Sequence, residues 1–132
     1  MIYLDSCALV KLVVEEPETT ALRSYLSAHG EESRVTSALA LTEVGRVLVR
    51  IGAPQSILDR ADLVLDRVLK IKMSDQLLRD AGRIPSLSLR SLDAIHVATA
   101  EYAELAVSAF VTYDKRLAEI ATARGLPVVS PT

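Results

Sequence analysis

Ile2-Tyr3-Leu4-Asp5-Ser6-Cys7-Ala8-Leu9-Val10-Lys11-Leu12-Val13 is the stretch that decides the architecture. Three apolar residues run into a carboxylate, and an apolar segment resumes three residues later. This reads as a short buried strand over 2–4 followed at once by a helix over 8–13. A strand that ends on an acid and feeds a helix is the opening half of a βαβ unit.

The same alternation continues along the chain. Pro17 opens a second helix carrying Ala21, Leu22, Tyr25 and Leu26, with Gly30 as its stop. Arg34-Val35-Thr36 is a second strand, and Leu39, Leu41, Val44, Val47, Leu48 and Ile51 form a helical stripe ending at Gly52. Pro54 suits the first turn of the next helix, through Ile57, Leu58, Leu65 and Val68. Leu69 to Met73 alternates with period two, as a half-exposed strand does. Ser74 caps a short helix halted by Gly82 and Pro85, and Ser91 caps another bearing Ala94, Ile95, Val97, Ala98 and Leu105. Ala109 to Thr112 is a strand, Asp114 to Arg124 a helix closed by Gly125, and Pro127-Val128-Val129 a last strand. The pattern predicts an α/β fold, with a mainly parallel central sheet and helices on both faces.

Composition narrows the function. The 132 residues fit one domain, 1–132, and no repeat or Gly/Ser linker divides them. Hydrophobic residues at 50% exclude an intrinsically disordered chain, and no apolar run reaches the length of a membrane span. The first residues show no basic secretory region, and one cysteine, Cys7, has no internal disulfide partner, so the expected location is the cytoplasm. A net charge of −2 argues against gripping nucleic acid by bulk positive field, but not against a nuclease that borrows charge from a divalent metal. Tryptophan is absent and aromatics make up 4%, so a base-stacking platform is not expected.

Most carboxylates fall on ordinary helix surfaces, but four do not. Asp5 and Asp114 follow strands, Glu43 lies in an apolar helix, and Asp93 sits in the first turn of Ser91-Leu92-Asp93-Ala94-Ile95-His96-Val97-Ala98. Each has a plain structural role open to it. Asp5 and Asp114 can cap the helices they precede, Asp93 can complement its helix dipole, and Glu43 can pair with Arg46 or Arg50. Together they say more, because in a parallel sheet the strand ends and the starts of the following helices meet at one edge. Converging carboxylates repel unless a cation compensates, and an all-oxygen donor set selects Mg²⁺ or Mn²⁺ over zinc. That chemistry suits phosphodiester hydrolysis.

Tyr3 to Leu12, Thr42-Glu43-Val44, Leu92 to Ala100 and Val111 to Leu117 resemble the four acidic motifs of PIN-domain ribonucleases, most closely the VapC-type toxins of bacterial toxin–antitoxin pairs. The resemblance spans the chain with its motifs in order. It implies a PIN-like three-layer sandwich and an endoribonuclease using Mg²⁺ or Mn²⁺. Asp5 and Asp93 would be the principal metal ligands, Glu43 and Asp114 would complete the acidic pocket, and Thr112 would orient the last acid. It also implies an RNA substrate, a homodimer, and inhibition by a small cognate antitoxin, with no membrane role. Cys7 departs from the family, where serine is common; a thiol is the poorer hydrogen-bond partner, and Cys7 is read as packing. His96 is read as a hydrogen-bonded helix residue outside the site.

Three other functions fit parts of the pattern. A phosphoacceptor signalling domain also carries acids at strand ends, but needs a second acid after the first strand, where Ser6 stands. An interaction module with an inactive site would suit the mean hydropathy of +0.28. An RNA-processing nuclease would share the chemistry without the toxin role.

Overall fold

Five strands, β1 (Ile2–Leu4), β2 (Arg34–Ser37), β3 (Leu69–Ile71), β4 (Ala109–Val111) and β5 (Val128–Val129), form one sheet in the order β3-β2-β1-β4-β5. The computed structural model describes residues 1–132, the side chain of Ala103 excepted. Every neighbouring pair is parallel, with Tyr3 opposite Val35 on one side and Phe110 on the other. The helices are α1 (Ser6–Val13), α2 (Thr19–Ala28), α3 (Ala40–Arg50), α4 (Gln55–Asp66), α5 (Asp75–Gly82), α6 (Ser91–Ala100) and α7 (Lys115–Ala123).

Strand alternation assigns these helices to two layers. Ile2 and Leu4 face a core built with Leu9, Leu22, Val44 and Leu65, which come from α1, α2, α3 and α4. Tyr3 points to the opposite face, where it joins Phe110, Val97 and Leu117, and Leu77 and Ala81 extend that side through α5. The result is a three-layer sandwich around a wholly parallel sheet. Strand order reverses beside β1, so β1 and β4 diverge to opposite sides at their carboxyl ends, the position where such sheets bind ligands.

Several element ends differ from the sequence expectation for local reasons. Helix α1 begins at Ser6, two residues earlier than the apolar run, because the Asp5 carboxylate accepts the Ala8 N–H and caps it. Pro17 lies ahead of α2, whose N-cap position is Glu18. Ser91 is the first helical residue of α6, and Arg90 holds the cap position without a side-chain bond. The period-two stretch yields a strand of only three residues at the sheet edge. Gly52 and Gly125 do end helices: their φ values of +66° and +87° lie in the left-handed region where a side chain is strained. Among the described residues, no helix is long and apolar enough to cross a membrane.

Candidate active site

Asp5 leaves β1 and Thr112 leaves β4 side by side, because Leu4 pairs with Val111 and the Asp5 N–H donates to the Val111 carbonyl at 3.2 Å. Asp114 follows two residues on and caps α7, its Oδ1 accepting the Leu117 N–H at 3.0 Å. Helix α3 brings Glu43 and α6 brings Asp93 to the same end of the sheet. All four acids line one cavity of about 560 Å³. Val10, Leu39 and Leu92 give this cavity apolar wall, while Arg46 and Arg50, one helical turn apart, line it beyond Glu43.

The capping roles and the cavity positions are both real, because each cap uses mainly one oxygen. Asp5 is 3% exposed and takes the Ala8 N–H on Oδ1 at 2.9 Å; the Cys7 thiol donates to the same oxygen at 2.9 Å and lies 3.2 Å from the other. Cys7 in turn receives the Tyr113 N–H at 3.4 Å. Its thiol is pushed up in pKa by burial and then by the Asp5 charge, so it stays protonated and remains a donor. Cys7 is therefore a support for Asp5, not packing alone. We expect Cys7→Ser, which retains a donor, to keep catalytic rates within about threefold, and Cys7→Ala to lower them about tenfold. Initial rates of the two purified variants on one RNA substrate would check this.

Thr112 is fully buried, and its Oγ1 accepts the Asp114 N–H at 3.1 Å. The residue thus fixes the loop carrying Asp114, and its hydroxyl also favours the ionised form of Asp5.

Glu43 does not pair with Arg46 or Arg50. Ser6 Oγ donates to its Oε1, and His96 Nε2 lies 2.6 Å from the same oxygen. Ser6 and His96 both line the cavity, a placement that local sequence pattern did not reveal. Among the described residues, neither Arg46 nor Arg50 pairs with a carboxylate.

The carboxyl groups divide by environment. Burial pushes Asp5 above the usual carboxylate range, although the Cys7 thiol, the Thr112 hydroxyl and the Ala8 N–H pull the other way. Asp93 is raised by burial and then by the charge of Asp114, with Glu43 and Asp5 adding to it. Burial would raise Glu43 too, but the hydrogen bonds from His96 and Ser6 hold it below its ordinary value. The cavity therefore concentrates negative charge, and Asp93 carries the mutual repulsion.

A divalent cation would relieve that repulsion. Among the described residues, no three His, Cys, Asp or Glu side chains close on one point as a protein cage. The arrangement fits an ion that takes one or two carboxylates and completes its shell with water and substrate oxygens, as Mg²⁺ does. Glu43 Oε2, Asp114 Oδ2 and both Asp93 oxygens accept no hydrogen bond from the described residues.

The family model of the PIN domain matches residues 2–123. The chain belongs to the PIN-domain family. Ribonuclease VapC47 of Mycobacterium tuberculosis (strain CDC 1551 / Oshkosh) is 41% identical over 133 aligned positions, covering 99% of this chain and 97% of that one. The relationship makes this protein an endoribonuclease of the VapC kind, and divalent-metal dependence is general in that family. Two crystal structures share the fold at low identity. The M. tuberculosis toxin VapC20, described as cleaving the sarcin–ricin loop, superposes with a TM-score of 0.76 at 18% identity, covering 99% of this chain and 100% of that one. VapBC2 from Rickettsia felis, bound to a DNA fragment from its promoter, gives 0.77 at 17%, with full coverage of both chains.

Proposed function

We propose that this protein acts as one nuclease domain across residues 1–132, and that it is the toxin of a toxin–antitoxin pair hydrolysing RNA phosphodiester bonds with Mg²⁺ or Mn²⁺. The observation that carries this reading is the meeting of Asp5, Glu43, Asp93 and Asp114 in one cavity, with the Asp93 carboxyl raised by burial and then by its neighbours' charges. Asp5 and Asp93 are the proposed principal ligands, with Glu43 and Asp114 completing the pocket. When bound, the ion would polarise a phosphoryl oxygen and lower the pKa of an attacking water.

The protein's own groups do the rest. Asp5 is held by the α1 cap and the Cys7 thiol, so its carboxylate needs little reorganisation. Asp114 is fixed through Thr112. Arg46 and Arg50 stand where RNA entering the cavity would bring its phosphates, and guanidinium suits bidentate phosphate contact. Their position supplies locally the positive charge that the whole chain lacks.

The proposed partners are RNA, a small antitoxin and a second copy of the chain, all in the cytoplasm. The VapBC2 complex supports the antitoxin by analogy, and exposed apolar side chains such as Val49, Leu63 and Leu87 leave surface for protein contacts.

The test is incubation of the chain and its Asp5→Asn variant with total RNA, with Mn²⁺ or with EDTA, followed by mapping of new 5′ ends. Discrete cuts made only by the unmodified chain with metal are expected. Cleavage that persists in EDTA or in Asp5→Asn would contradict the reading. Growth arrest on induction, relieved by Asp93→Asn, separates a toxin from an RNA-processing enzyme, whose induction leaves growth unaffected.

A further inference from the structure

His96 is only 1% exposed and sits on α6, three residues beyond Asp93, yet both its ring nitrogens are engaged away from its own helix. The Tyr3 hydroxyl lies 2.7 Å from Nδ1, and Nε2 lies 2.6 Å from Glu43 Oε1. Tyr3 is fully buried on β1, with its ring stacked on Phe110 at 5.2 Å and 5° between planes. With its ring packed flat on Phe110, the Tyr3 phenol O–H has Nδ1 within hydrogen-bond reach as its side-chain partner. An O–H donated to Nδ1 leaves the ring proton on Nε2, where it points at Glu43.

These contacts cross the molecule. Helix α3, with Glu43, packs mainly on α1 and α4 in one layer, whereas α6, with Asp93 and His96, packs mainly on α5 and β2 in the other. The chain Phe110–Tyr3–His96–Glu43 starts in the core of the second layer and ends on a helix of the first. It crosses at the carboxyl end of the sheet. A histidine serving only to fill the core would have its polar atoms satisfied within its own layer.

We propose that Tyr3 and His96 are positioning residues, a rigid strut between the two helical layers that sets Glu43 against Asp93 and leaves Glu43 Oε2 facing the acidic cavity. This rests on the metal-dependent nuclease reading. The strut delivers one N–H to one Glu43 oxygen and Ser6 delivers an O–H to the same oxygen. The carboxylate is thereby held in a single orientation. Partners of this kind, standing behind a ligand, typically change metal affinity 10- to 100-fold when removed.

The experiment is a calorimetric titration of the purified chain with Mn²⁺, with melting temperature recorded for every variant. Tyr3→Phe removes one hydroxyl and keeps the stacked ring. It is expected to weaken Mn²⁺ binding about tenfold, and His96→Leu by up to about 100-fold, while His96→Gln, whose amide can still donate, should recover most of the loss. A double-mutant cycle gives the decisive readout. In a Glu43→Gln background, Tyr3→Phe should cost no further affinity, because the strut acts through that carboxylate. An equal loss in both backgrounds, or no loss in a folded Tyr3→Phe protein, overturns the strut while leaving the nuclease reading intact. Failure of the unmodified chain to bind Mn²⁺ overturns both. If His96→Leu does not fold, the Tyr3→Phe cycle still decides.

Discussion

Asp93→Asn is expected to lower RNA cleavage on the order of 10³-fold or more and, in EDTA, to raise the melting temperature by roughly a few degrees. The two effects have one cause. Asp93 sits in the first turn of α6, where a carboxylate normally complements the helix dipole and is held below its usual pKa. Its pKa is raised instead, by burial and by the charges of Asp114, Glu43 and Asp5. Burial and repulsion within the cavity together therefore outweigh the dipole, and ionised Asp93 destabilises the metal-free fold. Asparagine keeps the shape and removes the charge, so the fold gains while the proposed ligand is lost. A carboxylate placed only to stabilise the helix would give the opposite sign, with the variant melting lower. Paired rate and melting measurements distinguish the two, and a melting temperature that falls in Asp93→Asn would remove the electrostatic argument for the site.

The acids were legible in the sequence because their signal is local. Asp5 and Asp114 stand where apolar strands stop, and a parallel sheet collects such ends at one edge, so two of the four could be placed without coordinates. Glu43 and Asp93 stood out by being acidic on weakly charged helices. The groups that hold these acids were not legible in that way. His96 meets Glu43 across 53 residues and Tyr3 across 93, and no periodicity within a helix or strand reports a contact over that distance. The one local alternative for Glu43, pairing with Arg46 or Arg50 on its own helix, loses to the buried imidazole. In a low-dielectric setting a hydrogen bond to a fixed donor is worth more than a solvent-exposed ion pair between mobile side chains. Cys7 shows a second limit. A thiol reads as a small apolar residue, and only the geometry shows it donating to Asp5.

The metal-free protein should be more stable in mild acid than at neutral pH as far as Asp5 and Asp93 are concerned, and a divalent cation should reverse that preference. Both carboxyls are raised in the fold, so each binds its proton more tightly folded than unfolded. Their ionisation costs stability above the unfolded carboxylate range of about 4, and that cost disappears as pH falls through their raised values toward that range. Glu43 has the opposite sign: its value is lowered, so its contribution is present at neutral pH and is lost only at stronger acid. The pH range just above the unfolded carboxylate value therefore reports on the two proposed ligands. At pH 7, Mn²⁺ at about 100 times its dissociation constant should add about 2.7 kcal/mol, which for a chain of 132 residues corresponds to a rise on the order of 10 °C. At about pH 5 the rise should shrink, because protons compete for the same oxygens. In Asp93→Asn it should largely vanish at either pH. Thermal melts on a grid of pH and Mn²⁺ check all three expectations in one experiment. An equal Mn²⁺ shift in the variant would place the binding ion away from Asp93 and away from the proposed catalytic pocket.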